Sequence, residues 1–174
     1  MPLCIPQEDS QSLNLNKNSC VQETKDLLKA RDYAYRLLSY RQRSTEEVSR
    51  RLKKKGFTAA IIAKTIKYLS ELNYLNDDDF ARVWIRSKIE SAPVGWLLLR
   101  YQLREKGLKE ETIEKALSAF SERYDESDAA RKLAILLHAR YKELDARRAR
   151  KRLYDYLRRR GFSQEAISQA LEKN

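Results

Sequence analysis

Three runs of cations are the residues in this 174-residue chain best suited to chemistry with a partner. They comprise Arg50, Arg51, Lys53, Lys54 and Lys55, then Arg147, Arg148, Arg150, Lys151 and Arg152, and finally Arg158, Arg159 and Arg160. Clustered guanidinium and ammonium groups attract polyanions. The sequence therefore predicts nucleic acid, or a protein that carries nucleic acid, as the partner.

The distribution of charge supports the same interpretation. Lys and Arg number 36 against 25 Asp and Glu, which gives a formal net charge of +11. Residues 31–70 carry a net charge of +8 and residues 128–174 carry +7, whereas residues 71–127 carry −3. An even solvating coat would not place two basic blocks on either side of an acidic middle.

Part of this charge has an explanation that needs no partner. Cations in the last turn of a helix interact favourably with its dipole, by about 0.3–1 kcal/mol each. That accounts for Lys53–Lys55 and Arg158–Arg160. It does not account for Arg147–Arg152, which begin a predicted helix, where cations are disfavoured. We therefore expect the strongest partner site there, and a weaker surface in the middle of the chain, where the equivalent residues are Arg104–Lys106.

The aromatic residues have two interpretations. Tyr141, Tyr154 and Tyr156 stand among basic residues, and such rings can stack on the bases of single-stranded nucleic acid. Half-buried tyrosines are more common in cores and between packed modules, so the sequence favours that role. Trp84 and Trp96 are expected in the core.

No residue set in the chain predicts catalysis. Asp77–Asp79 could suggest a metal site, but consecutive carboxylates at a predicted helix start fan out and suit the helix dipole better. His138 is the only histidine, and Cys4 and Cys20 are the only cysteines. There is also no phosphate-binding glycine loop. The sequence predicts a protein that is not an enzyme and that needs no metal or cofactor.

One short pattern occurs three times, with its glycines 51 and 54 residues apart. A leucine stands four residues before the glycine and an apolar residue follows it. The three copies are Leu52, Gly56 and Phe57; Leu103, Gly107 and Leu108; and Leu157, Gly161 and Phe162. Glycine can adopt the left-handed conformation that ends a helix, and the two apolar residues can then pack together. The pattern predicts a helix that ends at each glycine.

Apolar spacing predicts one further helix before, and one after, the helix that ends at each glycine. We therefore expect an all-α fold of three tandem three-helix repeats, arranged as an elongated, curved array. The predicted repeats span residues 26–74, 75–124 and 125–174, after a mobile N-terminal tail at residues 1–25. The tail lacks the pattern of a signal peptide and the chain lacks a membrane-spanning run, so we expect a cytoplasmic monomer.

Several features in this order resemble the RecX family of bacterial regulators. Arg43-Ser44 precedes the helix that ends at Gly56, and the segment Tyr68–Ala81 is similar to the family's leucine, aspartate, phenylalanine-alanine junction. Gly95 stands twelve residues before Gly107, and Leu157-Arg-Arg-Arg-Gly-Phe162 closes the pattern. The resemblance covers about residues 33–174.

The resemblance implies a function as well as a fold. Family members bind the filament that the RecA recombinase forms on DNA, and they mainly inhibit its ATPase, strand-exchange and co-protease activities. DNA is then a partner as part of the filament, or weakly alone. No catalytic residue is required of the family.

Two other functions remain open. The chain could be a helical repeat protein that binds DNA or RNA directly, largely without sequence preference, since its predicted third helices carry few residues that read base edges. It could also be a scaffold with a purely protein partner. Steep salt dependence of binding would favour nucleic acid and weak dependence would favour the scaffold.

Overall fold

The computed structural model describes the backbone of residues 10–141 and 143–172, and the side chains of residues 22–141 and 143–172. These residues form nine α-helices and no strand. The helices are α1 (Ser10–Tyr40), α2 (Thr45–Lys54), α3 (Ala59–Glu71), α4 (Asp77–Ser91), α5 (Trp96–Glu105), α6 (Glu110–Ser121), α7 (Glu126–Arg140), α8 (Ala146–Arg159) and α9 (Gln164–Glu172). The predicted all-α fold of three three-helix repeats is confirmed, while its elongated, curved arrangement stays a prediction.

Helix α1 is longer than expected. It begins at Ser10, whereas apolar spacing placed its start at Asp26, so it includes part of the segment predicted as a tail. Neither Gly nor Pro occurs between Ser10 and Tyr40, so nothing in this stretch interrupts a helix. Glu23 also forms an ion pair with Lys64 of α3. Cys4 lies outside the described residues, and the mobility of the segment stays a prediction.

The chain divides into two compact units, and the first contains residues 10–43 and 47–75. Its core is formed by one face of each of α1, α2 and α3, with Ala34, Val48, Leu52 and Leu69 fully buried. Apolar positions three or four residues apart place these side chains on single helix faces. The first repeat thus has a core of its own.

Thr65 of α3 is fully buried, and its hydroxyl has no hydrogen-bond partner among the residues that the structure describes. Because a buried, unpartnered hydroxyl is costly, we expect Thr65→Val to raise the free energy of unfolding by about 1 kcal/mol. Thermal unfolding followed by circular dichroism measures this. Thr65→Ser keeps the hydroxyl and removes the methyl group, so it should not stabilise. A lower melting temperature for Thr65→Val would contradict the prediction.

The second unit contains Ser44–Glu46 together with the chain from Asn76 onward. It holds two further cores. Helices α4–α6 bury Phe80, Ile85, Leu99 and Ile113, and Trp84 and Trp96 pack against this cluster, as expected. Helices α7–α9 form the other core, which includes Ala130, Ala134, Leu153, Leu157, Phe162 and Ile167, with Tyr141, Tyr154 and Tyr156 packed against it.

The three glycine turns have the predicted geometry. Gly56, Gly107 and Gly161 have φ angles of 96°, 79° and 77°, in the left-handed region. After each glycine the next N–H donates back to the leucine carbonyl four residues before the glycine: Phe57 to Leu52 (3.3 Å), Leu108 to Leu103 (3.2 Å) and Phe162 to Leu157 (3.3 Å). This is the hydrogen bond that closes a helix in the Schellman motif.

Gly95 and Gly161 join the second and third repeats through their main chains. The Gly95 N–H donates to the Arg160 carbonyl (2.9 Å), and the Leu97 N–H donates to the Gly161 carbonyl (3.1 Å). A Cβ atom on Gly95 would overlap the Gly161 carbonyl, and one on Gly161 would overlap the backbone of Leu98. The start of α5 therefore rests directly on the turn that ends α8.

Side chains complete this junction. The Tyr124 hydroxyl donates to the Val94 carbonyl (2.8 Å), and burial raises the pKa of that hydroxyl. Glu126 accepts a hydrogen bond from the main-chain N–H of Trp96 (2.8 Å) with one carboxylate oxygen. Its other oxygen accepts a hydrogen bond from the Ser163 hydroxyl (2.7 Å).

The residues Ser44–Glu46 make similar contacts within the second unit. The Ser44 hydroxyl donates to the Lys106 carbonyl (2.6 Å), and the Thr45 N–H donates to Asp77 (2.8 Å). Lys106 precedes Gly107 as Arg160 precedes Gly161.

Candidate polyanion-binding interface

Helix α8 carries most of the predicted partner residues. It has 14 residues, against 10 in α2 and α5. The Asp145 carboxylate caps its start by accepting the N–H groups of Arg147 (3.0 Å) and Arg148 (3.3 Å). This anion offsets the unfavourable placement of cations at a helix N-terminus. The buried residues Ala149, Leu153 and Leu157 fix the face that α8 turns to the core.

The cations of α8 form two rows on the face away from the core. Arg147, Lys151 and Arg158 occupy positions i, i+4 and i+11, and we call them the outer row. Arg148, Arg152 and Arg159 repeat that spacing beside it as the side row. All six residues are exposed. Since each residue adds about 1.5 Å, the outer row extends over about 16 Å of helix.

The side chains differ in how they are engaged. Arg148 lies 3.9 Å from the Asp145 carboxylate, and the Arg152 guanidinium lies 5.9 Å from the centre of the Tyr141 ring. Arg150 donates to the Leu171 carbonyl (3.1 Å), which ties α8 to the end of α9. The outer row forms no side-chain hydrogen bond or ion pair with any part of the chain that the structure describes. Its charge is available for a partner.

Arg160 differs from its neighbours Arg158 and Arg159. Its Nε donates to the Pro93 carbonyl (2.9 Å), and the side chain is half-buried at the junction of the two repeats. The sequence grouped all three arginines as partner contacts. The structure gives Arg160 an intramolecular contact that holds the end of α8, and it leaves the other two exposed.

The cations of α2 lie on the first unit. Arg50, Arg51, Lys53, Lys54 and Lys55 are all exposed, as a partner surface requires. Arg51, Lys53 and Lys54 fall in the last turn, where the helix dipole also stabilises them. The Lys55 ammonium lies 5.9 Å from the centre of the Tyr33 ring. Both explanations offered by the sequence therefore apply here.

The equivalent cations of the second repeat are engaged within the chain. Arg104 donates two hydrogen bonds to Glu110 (2.7 and 2.6 Å), and this contact lowers the pKa of the Glu110 carboxyl. The Lys106 ammonium lies 4.1 Å from the Trp84 ring centre. Arg104 and Lys106 thus have contacts within the chain, and the weaker partner surface expected for this repeat stays a prediction.

The acidic run at the start of α4 binds three different partners. Asp77 accepts the Thr45 N–H, Asp78 pairs with Lys115 (2.8 Å) and Asp79 pairs with Arg82. The hydrogen bond from Lys115 lowers the pKa of Asp78. Over residues 22–141 and 143–172, no three His, Cys, Asp or Glu side chains converge as metal ligands would. None of the described helices is both long and apolar enough to cross a bilayer.

Comparison with known families identifies the repeated architecture. Models described as the first, second and third three-helix domains of RecX match residues 30–69, 76–117 and 124–171. The three repeats thus define a regulatory protein built from tandem three-helix domains. The chain belongs to the RecX family, as its motifs indicated.

Relatives from several bacteria share this assignment. The regulatory protein RecX of Prosthecochloris aestuarii is 35% identical over 148 residues, covering 85% of this chain and 95% of the relative. That of Bacillus subtilis is 35% identical over 153 residues and 88% of this chain, which spans 58% of the relative's length. Both relatives are named as regulatory proteins.

Solved structures have the same fold. The crystal structure of RecX from Lactobacillus salivarius matches with a TM-score of 0.77 at 24% identity, covering 86% of this chain and 97% of that one. A second crystal structure, of a regulatory protein RecX, matches with a TM-score of 0.81 at 23% identity, covering 99% and 82%.

Proposed function

We propose that this protein modulates, and mainly inhibits, the RecA recombinase by docking on the filament that RecA forms with DNA. Membership of the RecX family supports the partner. The observation that carries the proposal is the outer row, Arg147, Lys151 and Arg158, whose charges are exposed and have no partner among the described residues. We infer that the protein acts in the cytoplasm as a monomer.

A nucleoprotein filament suits this surface because the phosphates of its DNA make it a polyanion. A row of cations along one helix can contact several phosphates or carboxylates without reading sequence. Docking would then obstruct the filament and suppress the activities that depend on it, namely ATP hydrolysis, strand exchange and co-protease function. The exposed cations of α2 provide a further set of contacts in the first repeat.

Direct binding of DNA or RNA is the alternative. Base-specific reading is not supported, because several long polar side chains on the third helices of the first two repeats are engaged in ion pairs. Lys64 of α3 pairs with Glu23, and Glu114 of α6 pairs with Arg100 (2.6 Å). Binding that depends on the phosphate backbone remains compatible with α8. A purely protein partner is a second alternative.

Titration of the protein into DNA-stimulated ATP hydrolysis by RecA, at low and moderate salt, tests the proposal. We expect inhibition that saturates, with a half-inhibitory concentration that rises about tenfold or more between the two salt levels. RecA hydrolysis under both salt conditions without the protein is the control. Unchanged hydrolysis at both salt levels would reject docking on RecA. Inhibition independent of salt would favour the purely protein contact.

A further inference from the structure

A groove lies between α8 and α9, beside the outer row. Its volume is about 370 Å³. Arg147, Lys151 and Tyr154 line it from α8, and Gln164, Ile167 and Ser168 line it from α9. The bond from Arg150 to the Leu171 carbonyl (3.1 Å) holds the two helices together at one end. The walls of the groove are therefore set by helices rather than by loops.

The two walls differ in chemistry. The α8 wall carries Arg147 and Lys151, one helical turn apart, so their charges repeat about every 6 Å. The α9 wall carries an amide, Gln164, and a hydroxyl, Ser168, which can donate and accept hydrogen bonds. Ile167 gives the floor an apolar character, and Glu172 places one carboxylate at the edge of the groove.

Tyr154 lies in the same row as the two cations, at position i+7 from Arg147 and i+3 from Lys151. It is half-buried: it packs against the third core, and it also lines the groove. Its hydroxyl donates to the Gln164 amide oxygen (2.9 Å), which fixes the ring across the two walls. A fixed aromatic ring beside a line of cations is the arrangement that binds single-stranded nucleic acid.

We propose that the α8–α9 groove binds a segment of single-stranded nucleic acid. The phosphates lie on Arg147 and Lys151, and one base stacks on the Tyr154 ring above the apolar floor. An acidic peptide would satisfy the cations but has no use for a fixed aromatic ring beside them, so the ring favours the nucleotide. Glu172 repels phosphate and keeps the strand's backbone on the α8 wall. The inference depends on the third repeat alone and needs no contact with RecA.

Fluorescence anisotropy of a labelled oligothymidine, without RecA, tests this inference. We expect salt-dependent binding that Tyr154→Leu weakens about tenfold or more, because leucine keeps apolar packing but cannot stack. Tyr154→Phe keeps the ring and should bind within about threefold of the unaltered protein. Tyr101→Leu, at an exposed tyrosine of α5 outside the groove, is the matched control and should bind normally.

Several results would overturn the inference. Oligothymidine binding that Tyr154→Leu leaves unchanged, or that Tyr101→Leu weakens equally, would contradict the stacking. Tighter binding of a duplex than of the single strand would contradict the preference for a single strand. Competition by polyglutamate equal to that by oligothymidine would assign the groove to an acidic protein. Circular dichroism establishes that each variant is folded. Should Tyr154→Leu unfold, Arg147→Ser with Lys151→Ser replaces it, and unchanged binding by that pair is equally decisive. Inhibition of RecA is measured separately and can fail without affecting these results.

Discussion

Gly161→Ala is expected to destabilise the second unit by roughly 2–5 kcal/mol, for two reasons that add. Gly161 has a φ angle of 77°, which alanine adopts only with strain. The new methyl group would also overlap the backbone of Leu98 in α5. Because this backbone is held by the junction hydrogen bonds, it has little freedom to move away. At ~4–8 °C per kcal/mol, the melting temperature should fall by about 10 °C or more.

Two other glycines separate these causes. Gly56 also has a positive φ angle, 96°, but a Cβ there would meet no atom of the described residues within 4 Å, so Gly56→Ala should cost only the ~1–2 kcal/mol of strain. Gly95 has an ordinary φ angle of −83°, but its Cβ would overlap the Gly161 carbonyl. Gly95→Ala should therefore cost ~1–3 kcal/mol from the overlap.

Thermal and urea unfolding of the three variants, followed by circular dichroism, measure these differences. The expected order places Gly161→Ala as the least stable. Equal losses of unfolding free energy in Gly161→Ala and Gly56→Ala would mean that the close contact with α5 contributes nothing. An unchanged melting temperature for Gly95→Ala would lead to the same conclusion from the other side of the junction.

Reversal of the outer row has the second large expected effect. We expect the triple variant Arg147→Glu, Lys151→Glu and Arg158→Glu to raise the half-inhibitory concentration for RecA ATP hydrolysis about 10- to 100-fold. The three side chains form no ion pair within the described residues, so their reversal breaks none there. The variant should remain helical, and its inhibition should depend less on salt, because fewer phosphates are contacted.

The triple variant Arg86→Glu, Lys109→Glu and Arg123→Glu is the matched control. These residues are also exposed, belong to the same unit and change the net charge by the same amount. We expect this control to inhibit RecA almost as well as the unaltered protein. If the two triple variants lose inhibition equally, the net charge matters rather than the position of the outer row. If neither loses it, α8 does not contact the filament.

The features that could be predicted from the sequence depend on neighbours along the chain. The turns at Gly56, Gly107 and Gly161 each involve residues within five positions, so a short pattern contains all of their geometry. The exposure of Arg147 and Lys151 follows similarly from the spacing of Leu153 and Leu157 on one helix. Helical periodicity also places three cores, one for each repeat.

The features that the sequence did not predict depend on contacts between distant segments. Gly95 has no unusual dihedral angle. A side chain is excluded there only because Gly161, which is distant in the sequence, packs against it. The contact of Arg160 with the Pro93 carbonyl spans the same junction, so the arginine could not be told apart from Arg158 and Arg159. The position of Tyr154 opposite Gln164 similarly requires the packing of α8 against α9. In α1, the apolar periodicity begins at about Asp26, whereas the helix begins at Ser10.

The junction between the second and third repeats includes two main-chain hydrogen bonds, from Gly95 to Arg160 and from Leu97 to Gly161. Dissolved ions screen exposed charges strongly and such bonds only weakly. Rising ionic strength should therefore dissociate a polyanion from α8 while the junction between the second and third repeats stays intact. The protein would then dissociate from a polyanion when the ionic strength rises and bind again, still folded, when the ionic strength falls.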